Sequence, residues 1–267
     1  MLTITTEDRI RILTLERPEA RNAVDPALAQ ALHAAALDFE GDDSADVAIL
    51  TGAGGTFCAG FDLKAAAGGA AEDWIATLAI PDDWTDPMAY PLPGPMGPTR
   101  LMLTKPVIAA VEGHAVAGGM ELALWCDLRV VAANAVFGVF CRRWGVPLID
   151  GGTVRLPLVV GAGRAADLIL TGRSCRADEA LAIGLADRVV APGQALAAAL
   201  DLARRLTRFP QGTMRADHLS ARLPPAELAA RLRREWETSA AQVAAEGVAG
   251  AARFAGGKGR GGRFDDL

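Results

Sequence analysis

The chain has 267 residues, of which 51% are hydrophobic and 22% charged, enough for one sizeable core and far from the composition of a disordered chain. A formal net charge of -5 and a pI near 5.3 supply no overall basic field, so nucleic-acid binding by the whole chain is excluded on electrostatic grounds. Cys58, Cys126, Cys141 and Cys175 form no CxxC pair and have no histidines at zinc-ligand spacing, which excludes a disulfide framework and a zinc site and suits a reducing cytoplasm.

The first residues carry neither a basic nor a long apolar region, and no apolar run approaches a membrane span, so a soluble, unprocessed protein is expected. Alternating apolar residues at Ile4 and at Ile10, Ile12, Leu13 and Leu15, parted by Glu7-Asp8-Arg9, predict an opening β-hairpin. Asp25-Pro26 predicts a helix start, with Leu28, Leu32, Ala35 and Phe39 on one face until Gly41. The β-branched runs 47–51, 106–111 and 128–132 predict strands buried on both sides, in a repeating order of strand, Gly-rich loop and helix. Residues 64–104, rich in Pro and with Gly68-Gly69, predict a helix-containing insertion with a mobile loop. From about residue 193 the pattern is helical, with Leu228, Leu232, Trp236 and Val243 on one stripe after Pro224-Pro225. The expected division is therefore an α/β core over 1–192 and a helical region over 193–267. A Gly-rich basic tail at 256–263 ends it, ordered only if a ligand or subunit holds it.

Two loops are candidates to carry chemistry, the first of them reading equally as an ordinary tight connection. Gly52-Ala53-Gly54-Gly55-Thr56-Phe57-Cys58-Ala59-Gly60-Phe61-Asp62-Leu63-Lys64 follows a buried strand, and its glycines let the backbone turn sharply near a ligand. It is neither a P-loop nor a dinucleotide fingerprint. Glu112-Gly113-His114-Ala115-Val116-Ala117-Gly118-Gly119 leads into a helix with Glu121 in its first turn. The unpaired N–H groups of such a helix start can hold a developing oxyanion, and Gly118 lets a carbonyl oxygen approach. Glu121 there reads either as dipole pairing or as an acid–base group.

These blocks, with Arg17-Pro18-Glu19-Ala20-Arg21-Asn22-Ala23-Val24, Gly151-Gly152-Thr153-Val154-Arg155-Leu156-Pro157 and Asp178-Glu179-Ala180-Leu181-Ala182-Ile183-Gly184-Leu185-Ala186-Asp187-Arg188-Val189-Val190, stand in an order and spacing that resembles the crotonase superfamily, the enoyl-CoA hydratase/isomerase family. The resemblance covers most of the chain. It implies a spiral of ββα units with a C-terminal helical trimerisation region, CoA-thioester substrates, and a homotrimer or dimer of trimers. No cofactor beyond the CoA moiety and no nucleic-acid or membrane partner is implied. Position by position, it makes the backbone N–H groups of Phe61 and Gly118 the oxyanion hole and Glu121 the residue that orients or deprotonates water. CoA contacts fall at Arg21, Ala23, Ala59 and Lys64. Phe254 is implied near the adenine, with Lys258 or Arg253 on a phosphate.

The sequence departs from the family at the second glutamate of its hydratases, where an ungapped alignment puts Cys141. A thiol does not replace a carboxylic acid without a large pKa adjustment. Asp150, which also reads as a loop or N-cap residue, is the substitute acid, with a bound water as the alternative. Arg142 and Arg143 read as holders of an acidic substrate group or as ion-pair partners, and His114 as a packed support of the second loop. Hydration of a 2-enoyl-CoA is the leading expectation. Isomerisation, decarboxylation or hydrolysis through the same oxyanion, and acyl-CoA binding without chemistry, are the alternatives.

Overall fold

The structure, a computed structural model, describes residues 1–67 and 70–259. Strand β1 (Leu2–Glu7) runs antiparallel to β2 (Ile10–Leu15), the hairpin that the alternation predicts, with Asp8 at φ 52° in the turn. Asp25 accepts the Leu28 N–H at 2.9 Å and Pro26 takes the first position of α1 (Pro26–Gly41). Its Leu28, Leu32 and Phe39 are buried, each contributing about 1.5 to 3 kcal/mol of transfer free energy.

Strand β3 (Val47–Gly52) pairs in parallel with β2, and α2 (Leu63–Ala67) and α3 (Ala70–Ala76) follow. Strand β4 (Val107–Val111) returns beside β3, then β5 (His114–Val116) leaves for a second sheet and α4 (Gly118–Trp125) follows. The step repeats. Strand β6 (Leu128–Ala132) joins β4, β7 (Val136–Gly138) joins β5, and α5 (Gly152–Val160) and α6 (Ala162–Thr171) come next. The two-residue β8 (Cys175–Arg176) closes the second sheet, and α7 (Ala177–Ala182) and β9 (Arg188–Val190) lead back to the first, whose order is β1-β2-β3-β4-β6-β9. Chain then continues as α8 (Ala195–Leu206), α9 (Gln211–Ala221), α10 (Pro225–Gln242) and α11 (Val248–Ala255).

Successive side chains of a strand point to opposite faces, so Leu13, Leu50, Ala109 and Val111 pack toward α1 and α4 while Ile12, Ile49, Ile108 and Val130 pack toward α8. Both faces are apolar, as the unbroken β-branched runs require. Ala195, Ala199 and Leu202 of α8 cover the second face of the main sheet.

The insertion over 64–104 contains the expected helices, but its second half is packed rather than loose. Trp84, Met96, Thr99, Arg100 and Met102 are all buried. Trp84 Nε1 donates to the Tyr90 carbonyl at 2.7 Å, and Arg100 Nη1 donates to those of Leu78 and Pro93 at 2.7 and 3.1 Å. Gly68-Gly69 and the tail from Arg260 lie outside the described residues. On α10, Leu228 and Leu232 are buried and Trp236 packs with them, and a π-helical turn over Val243–Gly247 follows. Among the described residues, no helix is long and apolar enough to cross a membrane.

Candidate active site

The two chemistry-bearing loops meet through the main chain. Cys58 N–H donates to the His114 carbonyl at 2.9 Å, and Val116 N–H to the Cys58 carbonyl at 3.1 Å. Val24 takes the Gly60 carbonyl and the Asp62 N–H, so in this strand-like pairing the Phe61 N–H points away from Val24. Gly60, at φ 98°, lies against the second loop, where an added Cβ would stand 2.9 Å from Ala117 Cβ and 3.0 Å from Gly118 N. Here only glycine fits. Ala117 holds φ 53° and ψ -128° at the N-cap of α4, a conformation that costs a residue with Cβ roughly 1–3 kcal/mol. Its carbonyl accepts the Met120 and Glu121 N–H groups, leaving the Gly118 N–H aimed out of the helix. Among the described residues, neither the Phe61 nor the Gly118 N–H has a hydrogen-bond acceptor. Two such donors can hold an oxygen on which charge develops.

Buried Asn22 and Arg17 fasten the first loop. Asn22 Nδ2 donates to the carbonyls of Ala53 and Thr56 at 2.9 and 2.6 Å, and its Oδ1 accepts the Arg17 N–H. Arg17 Nη1 donates to the Ala23 carbonyl at 2.7 Å and Nη2 to Asp62 at 2.9 Å. Of the expected CoA contacts, Arg21 and Lys64 are exposed, and the Ala59 N–H is spent on the Arg21 carbonyl at 3.0 Å. Helix α11 lies on α2 of its own chain, with Ala251 buried against Phe61 and Leu63. Phe254 meets Trp144 edge-on at 5.3 Å, and the Lys258 N–H caps Arg253 at 3.1 Å.

Glu121, one turn into α4, is buried, and its Oε1 accepts the N–H groups of Asp150 and Gly152, both at 2.9 Å. Oε2 has no donor among the described residues and is the oxygen open to chemistry. Burial raises the proton affinity of Glu121 well above the ordinary carboxylate range, and the charges of Asp150 and Glu235 raise it further. Asp150 touches Glu121 through its main chain, while its carboxylate turns to the insertion. Oδ1 accepts the Met96 N–H at 2.9 Å and the Thr99 hydroxyl, and burial lifts its pKa to about 6. Met96 in turn packs on Gly118, where an added Cβ would stand 2.7 Å from its Sδ.

Cys141 is a buried, neutral thiol, pushed up to about 12 by burial and by the charge of Glu121. Arg142 Nε donates to the Ile169 carbonyl at 3.3 Å, and Arg143 stacks 3.7 Å over Phe140. His114 supports the loops through its carbonyl, and burial followed by the nearby Arg21 charge lowers its imidazole pKa. A cleft of about 220 Å³ borders Arg142, Leu148, Thr153 and Glu246 without reaching either donor loop.

Three residues of this site escaped the motif reading: Met96, Thr99 and Glu235. The first two sit in a Pro-rich stretch with no periodicity. Glu235 did leave a signal, a carboxylate three residues after Leu232 on the apolar side of α10, where an unpaired charge is costly.

The ββα spiral that brings these loops together is the crotonase fold. The chain belongs to the enoyl-CoA hydratase/isomerase family, whose model matches residues 5–238. It is 41% identical over 199 residues to the enoyl-CoA hydratase EchA19 of Mycobacterium tuberculosis, covering 72% of this chain and 69% of that protein. Over 209 residues it is 41% identical to the carnitinyl-CoA dehydratase of Salmonella arizonae, covering 78% and 74%. The crystal structure of carnitinyl-CoA hydratase from Mycobacterium avium superposes with a TM-score of 0.80 at 30% identity, covering 96% of this chain and 95% of that one.

Proposed function

We propose that this protein is an acyl-CoA hydratase-type lyase that adds water reversibly across the Cα–Cβ double bond of a 2-enoyl-CoA thioester. The observation that carries the reading is Glu121, a buried carboxylate of raised proton affinity with one free oxygen, set one helical turn after the Gly118 N–H. Relatives named enoyl-CoA hydratase and carnitinyl-CoA dehydratase support it.

In this mechanism the Phe61 and Gly118 N–H groups bind the thioester oxygen and favour the enolate over the ground-state carbonyl, which lowers the barrier. Ionised Glu121 takes one proton from water as the hydroxyl bonds to Cβ. It then gives that proton to Cα, regenerating the carboxylate and leaving a 3-hydroxyacyl-CoA. One carboxylate therefore suffices where Cys141 stands in the second glutamate position. Asp150, expected from the sequence to supply the second proton, has Oδ1 held by the Met96 N–H and the Thr99 hydroxyl. In the one-carboxylate scheme we assign it a charge beside Glu121 and the anchoring of Met96 over Gly118. The CoA moiety is the only cofactor this scheme uses.

The test is direct. Purified protein is incubated with 2-enoyl-CoA thioesters of several chain lengths and with carnitinyl-CoA, and the conjugated-thioester absorbance is followed. Its loss with an enoyl-CoA, or gain with carnitinyl-CoA, is expected, and no change with any of them removes hydration.

CoA binding is proposed at the 21–24 and 59–64 segments, with Arg253, Phe254 and Lys258 near the adenine end, and α11 closing over its own chain. A trimer or dimer of trimers is proposed as the assembly. Leu158, Leu170 and Leu181 on α5, α6 and α7 are 54%, 75% and 48% exposed, an apolar display that a subunit contact covers. The double variant Leu158→Glu/Leu170→Glu is expected to shift light-scattering mass from trimer to monomer, and an unchanged mass places the interface elsewhere. The four cysteines are free and buried, which suits the proposed cytoplasmic setting.

A further inference from the structure

Glu235 reaches from α10 into the turn that follows Asp150. Its Oε2 accepts the Gly151 N–H at 2.6 Å, and its Oε1 accepts the Thr153 N–H and hydroxyl at 2.9 and 2.7 Å. The alternate N–H groups of the same turn, those of Asp150 and Gly152, donate to Glu121. Four consecutive N–H groups, from Asp150 to Thr153 at the start of α5, are thus shared by two buried carboxylates. Such donors are left without partners by any helix start, and here each carboxylate takes two. Only glycine fits at 151, where φ is 86° and an added Cβ would stand 1.9 Å from Arg155 Nη1.

We propose that Glu235 is a positioning residue for Glu121: by gripping Gly151 and Thr153 it aims the Asp150 and Gly152 N–H groups at Oε1 of Glu121 and leaves Oε2 for proton transfer. The inference rests on the proton-transfer role assigned to Glu121 above. A second consequence is electrostatic. The charged and titratable groups around Glu121 are Asp150 from the loop, Glu235 from α10, Arg155 from α5 and Cys141 from the 140–144 turn, with Arg100 set beside Asp150 and Glu235. Glu235 is one of the two anions that raise the proton affinity of Glu121, and the Gly152 and Asp150 hydrogen bonds oppose it more weakly.

Two variants separate grip from charge. Glu235→Gln removes the anion and sets an amide N–H against one of the donors. Its kcat is expected to fall about tenfold with KM changed less than about twofold, and the acidic limb of kcat/KM to move to lower pH. Thr153→Val keeps the charge and loosens the grip, so kcat is expected to fall about threefold with no downward move of the limb. Wild-type kcat and limb in both folded variants overturn the proposal. If Glu235→Gln does not fold, wild-type kcat in Thr153→Val overturns it alone.

Titration of the Glu121 carboxyl by carbon-13 NMR, assigned with Glu121→Gln, reads the site whether or not the enzyme turns over. In an inactive wild type, a lower Glu121 pKa in Glu235→Gln sustains this inference while the hydratase reading falls. A Glu121 pKa unmoved in both Glu235→Gln and Thr153→Val overturns the inference by itself.

Discussion

Glu121→Gln is expected to lower kcat/KM for hydration by about 10²- to 10⁴-fold, the usual worth of a positioned acid–base group, while the variant stays folded and gains thermal stability. The amide oxygen can still accept the Asp150 and Gly152 N–H groups that now meet Oε1. What it removes is a buried charge repelled by Asp150 and Glu235, so the melting temperature rises as activity is lost. CoA affinity is expected to stay unchanged. Steady-state kinetics and thermal melts check both halves, and a variant with wild-type turnover removes Glu121 from the chemistry. The pH profile carries the same signature. Ionised Glu121 is the reactive form, so activity disappears as pH falls through its pKa, about tenfold per unit below it. Burial first, then Asp150 and Glu235, hold that pKa well above the ordinary carboxylate range. A kcat/KM that persists unchanged down to the pKa of a free glutamate contradicts the assignment.

Loss of the Gly118 donor is expected to be nearly as costly. Pro is tolerated at the first position of a helix, so Gly118→Pro deletes one N–H at a place where α4 needs none. Any side chain there also displaces Met96, whose Sδ, Cγ and Cε lie within 3.1 Å of an added Cβ. Gly118→Ala imposes that displacement while keeping the donor, so the ratio of the two variants reports the hydrogen bond together with the restriction that proline places on Ala117. That ratio is expected to be about 10²- to 10³-fold in kcat. Equal kcat in the two variants places the thioester oxygen elsewhere.

Glu121, Gly118 and Glu235 thus serve one small volume, and they differ in how visible they are in the chain. Glu121 and Gly118 lie three residues apart in one helix start, and local hydrogen-bonding rules mark both without any tertiary information. The hairpin, the Asp25-Pro26 helix start and the strands 47–51, 106–111 and 128–132 were legible for the same reason. Each depends on spacing over a few residues, whether period 2, period 3.6 or a cap. The order of the Gly-rich loops also carried the family resemblance, and with it the expectation that Phe61 faces Gly118.

The partners of Glu121 come from far along the chain, and only folding decided them. Met96 and Thr99 lie 54 and 51 residues from the Asp150 that binds them, and Glu235 lies 84 residues from Gly151. Met96 and Thr99 sit in irregular chain whose shape is set by buried hydrogen bonds rather than by periodicity, so no local pattern announces them. Asp150 shows the difference within one residue. Sequence makes it an acid beside two glycines, whereas the tertiary structure gives its N–H to Glu121 and its carboxylate to the insertion. Local sequence determines what a residue can donate or accept. Which group it meets depends on long-range packing, because a buried polar atom must be satisfied by whatever the fold brings within about 3 Å.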